Sequence, residues 1–351
     1  MIDRHIQIQN IYYMLSYAFK VLHEDGYKHL GSEKFRNTAD LFAAILIQGV
    51  SVQLKRGLTK EYIEKSEELS SLRGKIDVTA SLKKNSLIKK QLECIYDDYS
   101  VDTSLNQIIK STLVLLMKSD IRTDRKKDIR NLLMFLEEVS IIDLHTVNWN
   151  VNYSRNNQTY KMLIGICYFT VKGLLHSENG TDVKIMDFLD EQRMCRLYEK
   201  FILEYYRKEH PELKANSKEI DWQLDDGIDN MLPVMQSDIM LEKWTTVLII
   251  DAKYYSHTTQ VQFDKHTIHS ANIYQIFTYV KNKEAELKQK VHKVSGMLLY
   301  ARTDEDIQPD ETYHMSGNQI SVKTLDLNVP FDVIRNTLDG IVLNHFKVME
   351  I

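Results

Sequence analysis

The sequence predicts a two-domain protein of the α+β or α/β class: an N-terminal mixed helical and β domain, then a mixed β-sheet flanked by helices. Three observations predict it. The chain has 351 residues, more than one hydrophobic core ordinarily fills. Its first half carries long helical periodicities interrupted by a polar stretch of short strand candidates. Its second half runs helix, three strands, helix, two strands, helix, an order that builds a sheet with helices on its faces.

The stretches "NIYYMLSYAFKVL" (10–22) and "TADLFAAILIQGVSVQLKRGL" (38–58) repeat apolar residues at helical spacing. Strand candidates follow in "SLRGKIDVTASL" and "CIYDDYS". A helical pair comes next, "SLNQIIKSTLVLLMKS" and "RKKDIRNLLMFLEEV", then a helix in "TYKMLIGICYFTVKGLLH". The loop signal "SENGT" (177–181) sets the expected boundary between domains 1–180 and 181–351. Beyond it a helix (190–210) precedes the strand candidates "EIDWQL", "LPVMQSDIML" and "TTVLIIDAKYY". A helix from Ser270 to about Lys290, the strands "VSGMLLYA" and "QISVKTLDL" and a helix from Phe331 complete the chain.

Composition narrows the function classes. With 43% hydrophobic and 27% charged residues and only 4 prolines, the chain reads as globular. A net charge of -4 neither requires nor excludes nucleic acid, since a basic face can sit within a neutral total. Three widely spaced cysteines offer no disulfide framework, and no apolar run is long enough to span a bilayer. The expectation is a cytoplasmic protein with no membrane partner.

The apolar run "VLII" ends in Asp251, Ala252 and Lys253. On a strand, Asp251 and Lys253 share a face. The preceding strand carries Asp238, and a turn centred between Trp244 and Thr245 places Asp238 opposite Asp251. Facing residues have Cβ atoms about 4.5–5.5 Å apart, so the two carboxylates need a proton or cation between them. Magnesium suits them, with the Ala252 carbonyl as a further oxygen ligand. Lys253 would orient water or stabilise developing charge. Glu199 interrupts an otherwise apolar pattern on the preceding helix, and Gln275 and Tyr279 lie one turn apart on the following one.

Helix acid, strand Asp, strand Asp-x-Lys and helix Gln, in this order, resemble the core of the PD-(D/E)xK nucleases, with Ser237 where the family's proline stands. More stretches resemble one family, McrC, the nuclease subunit of modified-cytosine-specific McrBC restriction systems. They are "NIYYMLSYAF", "LKRGL", "LRGKID", "NQIIKSTL", "LYEKF", "SDI", "LIIDAKYY" and "HSANIYQIFTY". That resemblance implies a magnesium-dependent endonuclease with Asp238, Asp251 and Lys253 as its triad and Glu199 and Gln275 as accessory residues. It implies an McrB-like AAA+ GTPase hexamer as partner, held through the N-terminal domain, and double-stranded DNA with modified cytosine as substrate. GTP would bind the partner, since no glycine here belongs to a GxxxxGK[ST] loop. Cutting two strands implies dimerisation of nuclease domains or of complexes. The alternatives are a non-catalytic adaptor that only activates the ring, and a nuclease that needs no partner.

Tyr254, His269 and Tyr279 are the expected DNA contacts. His266 and His269 form an HxxH beside His257, which is more simply read as helix capping than as a zinc site. The basic run 121–131 could hold phosphate but reads more simply as a solvated helix start with Asp124 and Asp128 interleaved, while 82–91 has fewer acids and more claim to a polyanion or an acidic partner surface. Arg73 and Gly74 read as a tight turn, and Tyr12, Tyr13 and Tyr17 as one buried helix face.

Overall fold

The computed structural model describes residues 6–19, 22, 27–151, 153, 158–177, 191–227, 229–255, 257–262, 265–289 and 291–346. The loop expected at 177–181 falls, past residue 177, outside them. The chain forms two compact units: Phe42–Val171, and Met1–Leu41 together with Lys172–Ile351. Two continuous blocks meeting near residue 180 were expected. Instead the first helix, α1 (Ile8–Ala18), belongs with the C-terminal sheet.

The central unit starts within α2 (Thr38–Arg56) and continues through β1 (Glu61–Leu69), β2 (Lys75–Ile76), α3 (Val78–Lys83), β3 (Leu92–Ser100), α4 (Ser104–Lys118) and α5 (Thr123–Met134). It ends within α6 (Gln158–Ser177). β1 and β3 pair antiparallel from Glu61↔Ser100 to Leu69↔Leu92, and β2 joins the other side of β3. β1, "EYIEKSEEL", shows no apolar face and so gave no strand signal. It is held instead by cross-strand ties such as Lys65–Asp98 at 2.7 Å and Tyr96 Oη to Glu67 at 2.8 Å. The strand expected through 71–82 stops after two residues, because Asp77 caps a helix by accepting the Ala80 N–H at 2.9 Å. Gly74 makes the expected turn with φ +65°, and a Cβ there would strike the Ile95 carbonyl. Asn106, fully buried, donates to the carbonyls of Thr59 and Val101 and accepts from Tyr160 Oη at 2.7 Å.

The sheet unit contains α7 (Glu191–Glu209), β4 (Lys214–Asn216), β5 (Glu219–Ile220), β6 (Met235–Gln236), β7 (Ile239–Lys243), β8 (Thr246–Lys253), β9 (Thr259–Gln262), β10 (Lys265–Ile268), α8 (Ser270–Glu286), β11 (Lys293–Ala301), β12 (Glu311–Met315), β13 (Asn318–Leu325) and α9 (Phe331–Phe346). Six strands form one mixed sheet in the order β12-β13-β11-β8-β7-β4. The central β8–β11–β13 pairs are parallel and the outer ones antiparallel. This is the expected helix-flanked mixed sheet, with β4, β12 and the β9–β10 hairpin added by the structure.

One face packs on α8: Val247 and Ile249 of β8, Leu298 of β11 and Ile320 of β13 surround Ile276 and Val280. Gly296 sits beneath this helix, between Ile249 and Ile320 in register. A Cβ at Gly296 would come within 2.8 Å of Ile276 and Val280 and 2.9 Å of Ile320. Gly296→Ala should therefore destabilise the unit by roughly 1–3 kcal/mol through overpacking, read as a lower Tm. An unchanged Tm would mean that α8 shifts freely on the sheet.

α1 packs within the same unit on α7 and α9. Asn10 Nδ2 donates to the Leu327 and Val329 carbonyls at 2.8 and 2.7 Å, and the Tyr13 ring stacks on Phe331 at 4.3 Å. Tyr12 and Tyr17 are buried, so the tyrosine face is core as read. Among the described residues, no helix is long and apolar enough to cross a membrane.

Candidate active site

The β7–β8 hairpin turns at Trp244 and Thr245, with Lys243 opposite Thr246 and Ile239 opposite Ile250. One step further along this register, Asp238 faces Asp251. The residue-counting argument from the sequence therefore lands on the correct pairing. Asp238 lies just before β7, because Ser237 is tied elsewhere: its N–H donates to the Lys218 carbonyl at 3.0 Å, and its hydroxyl bonds the Lys218 backbone. A proline at 237 would lack that N–H.

Asp251 is 1% exposed. Lys253 Nζ lies 2.7 Å from Asp251 Oδ2, yet that buried oxygen receives no well-aligned hydrogen bond. The contact is thus an ion pair rather than a satisfied hydrogen bond. Asp238 Oδ2 accepts the Ala252 N–H at 2.9 Å. Burial first, then repulsion by Asp251 and Glu199, pushes the Asp238 carboxyl well above its ordinary range, with Lys253 opposing. Burial alone would lower the Lys253 ammonium, but attraction to Asp251 and Asp238 outweighs it and the pKa rises. Lys253 is therefore a fixed cation.

Gln275 joins from α8. Its Oε1 accepts from Lys253 Nζ at 3.4 Å, and its Nε2 donates to Tyr279 Oη at 2.9 Å. Glu199 comes from α7, half-buried, its pKa raised by burial and by Asp251 while Lys253 and Arg196 pull it down. The structure thus brings Asp238, Asp251, Lys253, Glu199 and Gln275 together.

The expected DNA contacts fare differently. Tyr254 is 2% exposed, its ring facing Tyr198 of α7 at 6.1 Å. Alternation along β8 turns it away from Lys253 and into the core, so it offers no surface to DNA. Tyr279 is also buried and serves to hold Gln275. His269 is half-buried at the start of α8, its ring nitrogens engaged by Gln260 Nε2 at 2.8 Å and the His257 carbonyl at 3.2 Å. It makes no side-chain cap. His266 pairs separately with Thr259.

The donor set fits a hard divalent cation. Two carboxylates face each other at a buried site, and one of their oxygens lacks a well-aligned donor. Among the described residues, no three of His, Cys, Asp and Glu converge as a metal-holding group. A cation here would keep waters and take oxygen from backbone or substrate, as magnesium does.

Sequence reading missed Glu305, which no motif marks. Its Oε2 accepts the Thr258 N–H at 2.5 Å, the Thr258 hydroxyl at 2.6 Å and the Thr303 hydroxyl at 2.8 Å. Its Oε1 accepts the Thr259 hydroxyl at 2.7 Å. These bonds hold the start of the β9–β10 hairpin, a few residues past Lys253. Burial would raise this carboxyl, but the hydrogen bonds outweigh it and hold it at about 2, below the ordinary value of about 4.3. A depressed folded-state pKa gives stability that is present above the unfolded value and lost as pH falls through the folded one. Glu305→Gln should cost about 1 kcal/mol at pH 7 after allowance for solvent screening, the gap to wild type closing between about pH 4 and 2. Thermal unfolding across that range checks it, and a pH-independent gap would refute the charge argument.

Three cations of the basic runs are held in local pairs: Arg122–Asp124 at 2.5 Å, Lys84–Glu93 at 3.0 Å and Lys89–Glu68 at 3.3 Å. Arg73 stacks over the Tyr96 ring at 4.0 Å and reaches Asp98 at 3.3 Å.

Comparison with known proteins shows the family. A family model described as "McrBC 5-methylcytosine restriction system component" matches residues 3–301. The Escherichia coli (strain K12) protein "Type IV methyl-directed restriction enzyme EcoKMcrBC" is 28% identical over 348 residues, 97% of this chain and 99% of that protein. Among solved structures, a half-complex from a tetradecameric assembly of Thermococcus gammatolerans McrB AAA+ hexamers with bound McrC matches with a TM-score of 0.50. It covers 95% of this chain and 75% of that one at 16% identity, a likeness of fold.

Proposed function

Since the chain belongs to the McrBC 5-methylcytosine restriction system component family, we propose that it is the DNA-cutting subunit of such a system, working with an McrB-like AAA+ GTPase hexamer. The observation that carries this reading is the convergence of Asp238, Asp251, Lys253 and Gln275 at one end of β8. A chain that only activated a ring would have no use for two opposed carboxylates. Asp238, Asp251 and the Ala252 carbonyl would hold magnesium, which when bound supplies Lewis-acid activation of a phosphodiester and of water.

The chain's own residues do the rest. Lys253, positively charged and steadied by Asp251 and Gln275, faces the charge that develops on the phosphoryl oxygens. Gln275 keeps Lys253 in register, and Tyr279 keeps Gln275. Glu199, whose carboxyl is raised by burial and by Asp251, is placed to hold a proton beside the reacting centre. Ala252 N–H locks one oxygen of Asp238 and leaves the other free to coordinate.

The Phe42–Val171 unit is the proposed contact with the GTPase ring. Its small sheet exposes Tyr62 and Tyr99, with ring centroids 5.0 Å apart, and the segment beside it exposes Leu72, Val78 and Ile88. Apolar surface gathered in one small region suits a protein partner. Stimulation of the partner's GTPase would act through this unit, and double-strand cutting would need two copies of the sheet unit.

The test is cleavage of methylated and unmethylated plasmid with magnesium and GTP, by this chain alone and with its AAA+ partner. Cutting is expected only with partner, GTP and methylated DNA together. GTP turnover raised by a chain that never cuts would leave the adaptor reading, and robust cutting by the chain alone would remove the partner from the mechanism.

A further inference from the structure

A cleft of about 330 Å³ opens on the α7 side of Asp238. Glu199 and Asp238 form one part of its wall, and Arg196, Lys200, Ser217 and Gln236 the rest. Arg196, Glu199 and Lys200 stand at i, i+3 and i+4, on one side of the helix. The floor is tied to the strand that carries Asp238: Ser217 Oγ donates to the Ser237 carbonyl at 2.8 Å and accepts from Gln236 Nε2 at 3.2 Å.

The cations of α7 are not equivalent. Arg207 is consumed by the Ala215 carbonyl at 3.0 Å and Glu204 at 2.8 Å, and Lys208 sits 3.6 Å from Glu209. Lys200 lies over the Phe19 ring at 5.0 Å. Arg196 is exposed and, among the described residues, makes no hydrogen bond or ion pair; Glu199, one turn on, acts on it only at longer range. A free guanidinium thus shares the α7 wall of the cleft with Glu199, while Asp238 lies on the wall formed by the segment before β7. A carboxylate that would hold a dication on one wall, and a planar five-donor cation on the helix wall, make a seat for a phosphodiester backbone.

We propose that this cleft binds the DNA backbone phosphate adjacent to the scissile one, with Arg196 as its principal ligand. The assignment rests on the nuclease reading. It also gives the bound strand a direction across the site, from the Asp251–Lys253 end of β8 toward α7.

The test uses the assembled complex under single-turnover conditions on methylated duplex. Arg196→Ala should slow cutting about 10- to 100-fold, the scale of losing one charge-assisted contact. Arg196→Lys should recover part of the loss. The salt dependence of binding in the alanine variant should be shallower by about one phosphate contact. Once wild-type cut sites are mapped, a neutral methylphosphonate at the flanking phosphate should slow wild type similarly and add nothing further in Arg196→Ala. Unchanged GTP turnover and Tm show that the variant is folded and assembled. Wild-type cutting by Arg196→Ala, or two losses that multiply, would overturn the assignment. A wild-type complex that does not cut at all would overturn the nuclease reading instead, and this assignment with it.

Discussion

Replacing Asp251 with alanine should reduce DNA cleavage by the assembled complex by at least about 10³-fold, while partner binding and GTP turnover persist. The residue lies at the end of the central strand of the sheet, 1% exposed, with Lys253 2.7 Å away. Its side chain contributes both a ligand oxygen and the counter-charge that fixes the lysine. Removing it leaves Lys253 half-buried beside Asp238 alone, which threatens folding as well as chemistry, because breaking a buried pair costs about 3–5 kcal/mol. Asp251→Asn separates the two effects. It keeps the volume and an oxygen but not the charge, so it should fold, bind the ring and still fail to cut. Cutting at near wild-type rates by either variant would show that the reaction occurs elsewhere in the chain.

The second large effect concerns Asp238 and runs in two directions at once. Asp238→Asn should raise the Tm of the metal-free protein and weaken its response to magnesium at least about tenfold. Facing carboxylates in a buried site destabilise the fold, and the amide removes that repulsion while keeping an oxygen for the Ala252 N–H. A gain of about 1 kcal/mol corresponds to roughly 2–4 °C. Magnesium should stabilise wild type by taking the place of the missing counter-charge, a linkage the variant loses. Thermal unfolding with and without magnesium reads both effects without any nuclease assay. Equal metal responses in the two proteins would remove Asp238 from the cation site and favour a non-catalytic role for the sheet unit.

The clearest success of sequence reading was the Asp238–Asp251 pairing. A tight hairpin makes register a matter of counting, and a period of two settles which residues share a face. Gln275 and Tyr279 were legible for the same reason, since one helical turn separates them and their hydrogen bond is local. Tyr254 shows the limit of that logic. Alternation fixes that it faces away from Lys253, but not whether solvent or a helix covers that face. α7 covers it, from more than fifty residues earlier in the chain. Glu305 and Arg196 carried no local signal either: one acts on threonines across a sequence gap, and the other gains meaning only from the cleft it lines with Glu199 and Asp238.

The sequence alone determined the helix-flanked mixed sheet and the hairpin register, because each follows from short-range periodicity and turn position; the expectation that a helix acid and a glutamine gather around the hairpin came from the family resemblance. Only the tertiary structure decided that α1 packs with the C-terminal sheet, that the charged β1 is a strand, that Tyr254 and Tyr279 are buried, and that a free arginine lines a cleft beside the acids. These depend on which distant surfaces meet. Such contacts arise from burying apolar area between segments far apart in the chain, and the identity of the covering segment is written in neither residue pattern alone.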